Sequence, residues 1–297
     1  MSTPARTETE AWPQSYGAEA QPRMGFFTDT SVCIGCKACE VACKEWNLVP
    51  EDGLVWSGES FDNTSALGAN SWRHVAFVEQ TTPLRVDGDG ADGGDDPLRW
   101  LMSSDVCKHC TESACLNVCP TGAIFRTELG TVVVQEDVCN GCGYCVPACP
   151  FGVLDRRELP APDRGGRPDG RVWKCTLCYD RTRDGMTPAC AQACPTESIQ
   201  YGPLDELRGR AAERLDKVVA DGFAGARLYG DDPNDGVGGF GAFFLLLDEP
   251  ETYGLPPAPR DSTRHLGGMW RGAAAAGAAL LAGLGAAFLM GRDGGGA

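Results

Sequence analysis

The chain has 297 residues, 42% of them hydrophobic and 8% aromatic, with a formal net charge of −15. That length supports one or two compact domains. So acidic a balance excludes a nucleic-acid partner, which needs a basic face.

Residues 1–24 read as a disordered or partner-wrapping arm; they carry no apolar core segment and no twin arginine, so they are not expected to be a signal peptide. Phe26-Phe27-Thr28 predicts a strand that leads into a first cysteine run, Cys33, Cys36, Cys39 and Cys43, spaced C-x2-C-x2-C-x3-C. The spacer 44–106 holds a predicted strand at Val75–Val78 and the acidic stretch Asp87–Asp96. That stretch reads as an acidic surface loop, because the Glu that closes a calcium-binding loop is missing. The second run is Cys107, Cys110, Cys115 and Cys119, spaced C-x2-C-x4-C-x3-C. Thr131–Gln135 predicts the strand into the third run, Cys139, Cys142, Cys145 and Cys149, which repeats the first spacing. A Pro/Gly/Arg linker follows at 159–171. The fourth run is Cys175, Cys178, Cys190 and Cys194, spaced C-x2-C-x11-C-x3-C.

Beyond it, Leu204, Leu207, Ala211, Leu215 and Val218 mark one face of an amphipathic helix ending at Gly222. Phe240–Leu247 is a continuous apolar run, either a buried strand or a partner contact. Pro256, Pro257 and Pro259 form a stiff link. Gly272–Met290 is then uncharged, with nine Ala, four Gly, four Leu, one Phe and one Met. Nineteen residues can span a bilayer as a helix, flanked here by Trp270, Arg271 and Arg292. Its Leu and Phe residues supply only about −1.5 to −3 kcal/mol of insertion energy, so the helix should lean on a membrane partner through its small-residue seams.

The four runs use all sixteen cysteines, and each is spaced to hold a [4Fe–4S] cluster. A tight C-x2-C-x2-C loop turns three thiolates and several backbone N–H groups onto one cube. In bacterial ferredoxin runs the fourth cysteine serves the other cluster of a pair. It is expected to open a helix leading away, with a proline redirecting the chain, as Pro120, Pro150 and Pro195 do after three of the four runs. A disulfide scaffold suits a short secreted chain, and zinc ribbons use pairs of pairs rather than runs of four. Four clusters in one chain imply an electron wire, in a core that depends on its metal to fold.

The repeats Cys119-Pro-Thr-Gly-Ala-Ile, Cys149-Pro-Phe-Gly-Val-Leu and Cys194-Pro-Thr-Glu-Ser-Ile each place a short strand after a cluster-binding turn. Runs two and three are close in sequence and form one two-cluster unit; runs one and four enclose it and form the other. The expected fold is therefore α+β, with two tandem or inserted bacterial-ferredoxin-like units and one C-terminal transmembrane helix. Its divisions are 1–24, a double ferredoxin-like domain at 25–202, an extension and linker at 203–267, and the membrane helix at 268–292. No catalytic residues and no phosphate-binding loop are expected; Gly236-Val-Gly-Gly lacks the strand–helix context of a nucleotide site. His109 reads as a neighbour that packs against a cluster rather than a ligand. Lys37, Lys108 and Lys174 sit beside cysteines, and either offset cluster charge or are solvated.

SVCIGCKACEVACKEWN (31–47), WKCTLCYDR (173–181), GVGG (236–239) and ETYGLP (251–256) resemble the beta subunit of membrane-bound respiratory formate dehydrogenase. The resemblance covers residues 25–292. It implies one cluster on Cys33, Cys36, Cys39 and Cys194, and a second on Cys43, Cys175, Cys178 and Cys190. A third would take Cys107, Cys110, Cys115 and Cys149, and a fourth Cys119, Cys139, Cys142 and Cys145. It implies as partners a molybdenum- or tungsten-pterin alpha subunit that oxidises formate, and a gamma subunit carrying cytochrome b haem that feeds quinone. The chain itself would be no enzyme. An equivalent subunit of a hydrogenase, or of a polysulfide or dimethyl sulfoxide reductase, is the alternative, and a metal-stabilised interaction module without redox role a more distant one. The linker and acidic loop look extended against the family pattern. Arg260, Arg264 and Arg271 before the membrane helix, against Arg292 after it, place the cluster domain in the cytoplasm by positive-inside counting. The resemblance implies the outer face of the cell membrane.

Overall fold

The computed structural model describes residues 21–53, 66–80, 99–161 and 168–293, with positions 56, 58, 61, 64, 165 and 166 between them. The acidic stretch Asp87–Asp96 lies outside the described residues, as do residues 1–20 of the arm and part of the 159–171 linker. The chain divides into two units, Met1–Asp261 and Ser262–Ala297.

The first unit is organised on strand β1 (Met24–Asp29), in which Phe26, Phe27 and Thr28 are wholly buried. It lies between β8 (Ile199–Pro203), antiparallel, and β10 (Ala242–Leu246), parallel, with β9 (Arg227–Tyr229) on the outer side of β10. A strand covered on both faces reads as an unbroken apolar run. This settles the two readings of Phe240–Leu247: its residues Ala242–Leu246 form a strand buried within the chain. Phe27 and Phe243 stack with ring centroids 5.3 Å apart. Helix α6 (Leu204–Ala220) turns the predicted face inward, with Leu204, Leu207, Ala211 and Val218 buried. It stops before Gly222, whose φ of +99° a β-carbon would disfavour.

Short ladders join the cysteine runs. β1 enters run one and pairs with β8, which leaves run four, so the two ends of the cluster region share one ladder. β4 (Ile124–Arg126), leaving run two, pairs with β5 (Val132–Val134), entering run three. β6 (Asp155–Arg156) pairs with β7 (Val172–Trp173) between runs three and four. The predicted Val75–Val78 strand extends to β2 (Arg73–Gln80), and its partner β3 (Arg99–Val106) delivers the chain to Cys107.

The helical turns differ from expectation. The fourth cysteine does not open them. Cys39 lies near the start of α1 (Ala38–Asn47), Cys115 within α2 (Ala114–Asn117), Cys145 at the start of α3 (Cys145–Ala148) and Cys190 within α5 (Ala189–Gln192). Thus the third cysteine of each run sits in the turn. Cys43 is a turn further along α1, while Cys119, Cys149 and Cys194 come at or just after the helix end. A helix rises about 5.4 Å per turn, enough to carry the fourth thiol away from its three companions. One further turn, α4 (Tyr179–Thr182), starts directly after Cys178.

The second unit is helix α7 (Leu266–Asp293). Its 28 residues reach about 42 Å at 1.5 Å each. The stretch Leu266–Phe288 is long and apolar enough to cross a membrane by length and composition.

Candidate metal centres

Four cysteine quartets come together, and none is a contiguous run. In site 1, Cys33, Cys36 and Cys39 share a cavity with Cys194, lined also by Ile34, Val75, Ser104 and Ile199. The loop turns through left-handed Gly35 and Lys37, with φ of +65° and +60°. Gly35 is required twice over: a β-carbon there would lie 2.6 Å from Met102 Sδ and 2.7 Å from the Phe77 ring. Ser104 Oγ lies 3.2 Å from Cys39 Sγ.

Site 2 gathers Cys43, Cys175, Cys178 and Cys190, all buried. α1 packs on α5 to bring Cys43 to Cys190. Burial pushes the Cys43 thiol well up, and the adjacent Cys175, Cys190 and Cys178 add to it. Asn47 Nδ2 lies 3.7 Å from both Cys43 Sγ and Cys178 Sγ, and the Leu177 N–H points to Cys175 Sγ at 3.2 Å. Leu177 and Cys178 are both left-handed, with φ of +57° and +47°. This is a strained turn of the kind that recurs at sites rather than in scaffolds.

Site 3 is a cavity lined by Cys107, Cys110, Cys115 and Cys149, closed by Phe151, Leu154 and Val237. Val237 comes from the GVGG segment, which is strapped over run two: Glu112 N–H donates to Val237 O at 2.7 Å, and Thr111 N–H to Gly239 O at 3.0 Å. Site 4 is lined by Cys119, Cys139, Cys142 and Cys145 with Ile124, Val134 and Val172. There burial raises the Cys119 thiol, but the N–H groups of Ile124, Thr121 and Ala123 and the Thr121 hydroxyl outweigh it and hold the pKa below the ordinary value. Anion-stabilising N–H groups around a thiol are what a thiolate ligand needs.

The donor set fits an iron–sulfur cube. At sites 1, 3 and 4 the four thiols ring a void, and among the described residues no three His, Cys, Asp or Glu side chains are placed to hold a metal ion. A single zinc ion needs its four sulfurs drawn to one point at about 2.3 Å, whereas a cube fills a space between them.

Successive sites lie within electrostatic reach of one another. Cys39 of site 1 is pushed up to about 11, by burial and also by Cys190 of site 2. Cys175 of site 2 is pushed up to about 12, by burial first and then by Cys107 of site 3. Cys115 of site 3 is likewise pushed up to about 12 by burial, with Cys145 of site 4 contributing. Electrostatic contact therefore runs 1–2–3–4. The ends reach the surface, with Cys36 exposed in site 1 and Cys142 in site 4.

Charged neighbours are not where a solvated reading would put them. Lys108 is fully buried, its Nζ donating to the Asp105 carboxylate and to Val106 O at 3.0 Å, between the rings of Phe151 and Phe244. Lys174 is buried too, donating to Val132 O and to Cys175 O at 2.9 Å. Lys37, by contrast, is half-exposed and pairs with Glu40 at 3.2 Å. His109 lines site 3, its Nδ1 accepting from Val132 N–H at 3.2 Å. Burial, then Lys174, Arg126 and Arg23, hold it well below the usual range, so it is neutral. Sequence reasoning missed Arg73, which is 2% exposed and donates from NH2 to Cys190 Sγ at 3.2 Å. Its place at the head of β2, next to the predicted strand, was the only signal.

Two models of a 4Fe–4S dicluster domain match this chain, at residues 98–204 and 32–123. The nitrate-inducible formate dehydrogenase iron–sulfur subunit of Escherichia coli K12 is 37% identical over 265 residues, 88% of this chain and 81% of that one. The formate dehydrogenase iron–sulfur subunit of Haemophilus influenzae is 40% identical over 236 residues, 78% of this chain and 68% of that one. A component of the anaerobic dimethyl sulfoxide reductase of E. coli K12 is 37% identical over 187 residues, 63% of this chain and 76% of that one. Two dicluster domains and sixteen cysteines fit four [4Fe–4S] clusters.

Proposed function

This chain belongs to the family of formate dehydrogenase iron–sulfur subunits, electron-transfer proteins rather than catalysts, and on that premise we propose how it works and with what. It relays electrons from a molybdenum- or tungsten-pterin formate dehydrogenase subunit to a membrane cytochrome b partner that reduces quinone. The sixteen cysteines act as crossed ligand sets: Cys33, Cys36, Cys39 and Cys194 at site 1; Cys43, Cys175, Cys178 and Cys190 at site 2; Cys107, Cys110, Cys115 and Cys149 at site 3; Cys119, Cys139, Cys142 and Cys145 at site 4. When bound, the clusters supply one-electron redox centres. The protein holds them in sequence, keeps water from the middle of the row and leaves the two ends accessible.

The observation that carries this reading is the succession itself: four quartets in electrostatic reach of one another in the order 1–2–3–4, with a fully exposed cysteine only in the two end sites. A stand-alone redox protein needs one exposed centre; a bridge needs two. Helix α7 anchors the chain by a single pass, with the cluster domain on the outer face of the cell membrane. Its small-residue composition suits packing against the cytochrome subunit. The four-cluster domain at 25–202 carries the wire, and 203–267 covers it and leads to the anchor. Similarity to the dimethyl sulfoxide reductase component favours a second reading of the partner: the same wire run toward a reductase.

The test is to purify the complex from its native membrane and add single donors under argon. Formate should bleach the brown absorption, and a quinone analogue should restore it. Bleaching by hydrogen but not by formate, or reoxidation by dimethyl sulfoxide in place of quinone, would assign the chain to another complex.

A further inference from the structure

Arg73 is a buried cation with no carboxylate partner among the described residues. Among the described residues no ion pair is formed by it, and its Nε has no hydrogen-bond partner. Its NH1 donates to Ser104 O at 3.1 Å and Ser104 Oγ at 3.3 Å, its NH2 to Cys190 Sγ at 3.2 Å, and its guanidinium sits 4.9 Å from the Phe26 ring centroid. Ser104 Oγ in turn lies 3.2 Å from Cys39 Sγ. One guanidinium therefore touches a site 2 cysteine directly and a site 1 cysteine through a single hydroxyl.

A buried, uncompensated guanidinium is costly unless an anion faces it. Here the groups that face it are sulfurs, Cys190 Sγ directly at 3.2 Å and Cys39 Sγ through the Ser104 hydroxyl. Lys108, the comparable cation near site 3, differs because Asp105 neutralises it. We propose that Arg73 is a positioning residue that sets the electron affinity of sites 1 and 2 together, the fixed positive charge shared by the first two members of the row. The inference rests on the crossed ligand sets proposed above.

Only charge is at stake in this role. The bound clusters would supply one-electron transfer with no proton or bond exchanged, so Arg73 would act on them only through its fixed charge. Reduction adds a negative charge to a cube that is already anionic. A fixed cation at hydrogen-bond distance from a ligand sulfur stabilises the reduced form more than the oxidised one and raises the potential. Arginine remains charged at any working pH, so the effect does not titrate.

The experiment is redox potentiometry followed by electron paramagnetic resonance on the intact complex, comparing parent, Arg73→Gln, Arg73→Lys and Ser104→Ala. In Arg73→Gln, with iron content unchanged, two midpoints should fall while the other two stay. The fall should be the same from about pH 6 to about pH 9. Arg73→Lys should restore part of it. Four unchanged midpoints with full iron would overturn the proposal, as would an equal fall in all four, which is a structural effect. If Arg73→Gln loses iron, Ser104→Ala decides: it should lower one midpoint only, that of site 1, and no shift there refutes the shared relay. Failure of the ligand sets themselves is seen separately, in which signals cysteine variants abolish, whatever Arg73 does.

Discussion

Lys108→Met tests whether a buried lysine beside a cysteine run holds the fold. Methionine keeps the unbranched apolar stem between Phe151 and Phe244, so packing changes little. What is lost is charge. Removing one member of a fully buried pair costs about 3–5 kcal/mol. The Asp105 side chain is 22% exposed and keeps the Val106 N–H at 2.7 Å, so water and backbone soften this to about 2 kcal/mol. Loss of the ammonium from between two rings adds about 1 kcal/mol. The sum, about 3 kcal/mol, is roughly a hundredfold in an equilibrium or rate. The assay is the unfolding rate of cluster-loaded protein in fixed guanidinium under argon, read by tryptophan fluorescence. Lys108→Met should unfold up to about a hundredfold faster, and Asp105→Asn/Lys108→Met should recover a measurable part because no orphan carboxylate remains. A Lys108→Met protein within about twofold of the parent, with no coupling in the double variant, would refute the buried-pair reasoning.

Gly35→Ala should loosen the site 1 loop, since left-handed backbone alone costs about 1–2 kcal/mol and the new methyl group meets Met102 and Phe77; Gly185→Ala, equally left-handed at φ +75° but with open space around it, should cost only the backbone term. Faster iron release from Gly35→Ala than from Gly185→Ala in a chelator assay checks this. Ending the chain after Arg260 should leave all four clusters in place and release the protein from membranes washed in high salt, because the cysteines precede that point and α7 follows it. Stripping the iron should unfold the cluster domain at neutral pH, because sixteen thiols replace side-chain packing where the clusters sit. Circular dichroism before and after anaerobic chelation reads it, and a stripped chain that keeps the loaded chain's spectrum and cooperative melt would contradict it.

The wire is legible in the sequence because cluster binding is written in local spacing. The four runs, the strands at β1, β5 and β8 and the amphipathic face of α6 are all short-range patterns, and the structure forms them. What escapes is long-range. β3 goes unread because 18 residues separate it in sequence from β2, so no short-range hairpin pattern marks the pair. Phe240–Leu247 is ambiguous because a run buried on both faces has no periodicity to read; only its parallel pairing with β1 decides. The expected helical turns fall one cysteine late, since spacing alone does not say which of two cysteines four residues apart begins the turn. Lys108 and Lys174 have equal solvated and charge-offsetting readings, and Arg73 has none. A charged side chain declares its burial only through partners such as Asp105 and Cys190, and Cys190 lies at a chain distance from Arg73 that no local pattern spans.

The central claim is that the runs exchange their fourth cysteines, so that Cys194 completes the site begun by Cys33 and Cys43 the site begun by Cys175. The direct measurement is electron paramagnetic resonance of the reduced complex carrying Cys194→Ser or Cys43→Ser. Serine keeps the size but is a poorer ligand than thiolate, so each variant should lose one cube, about a quarter of its iron, or convert it to a three-iron form. The account predicts that the two variants remove different signals, Cys194→Ser sparing the site on Cys175, Cys178 and Cys190. If both abolish the same signal and spare the same remainder, each run serves its own cluster and the crossed row is wrong.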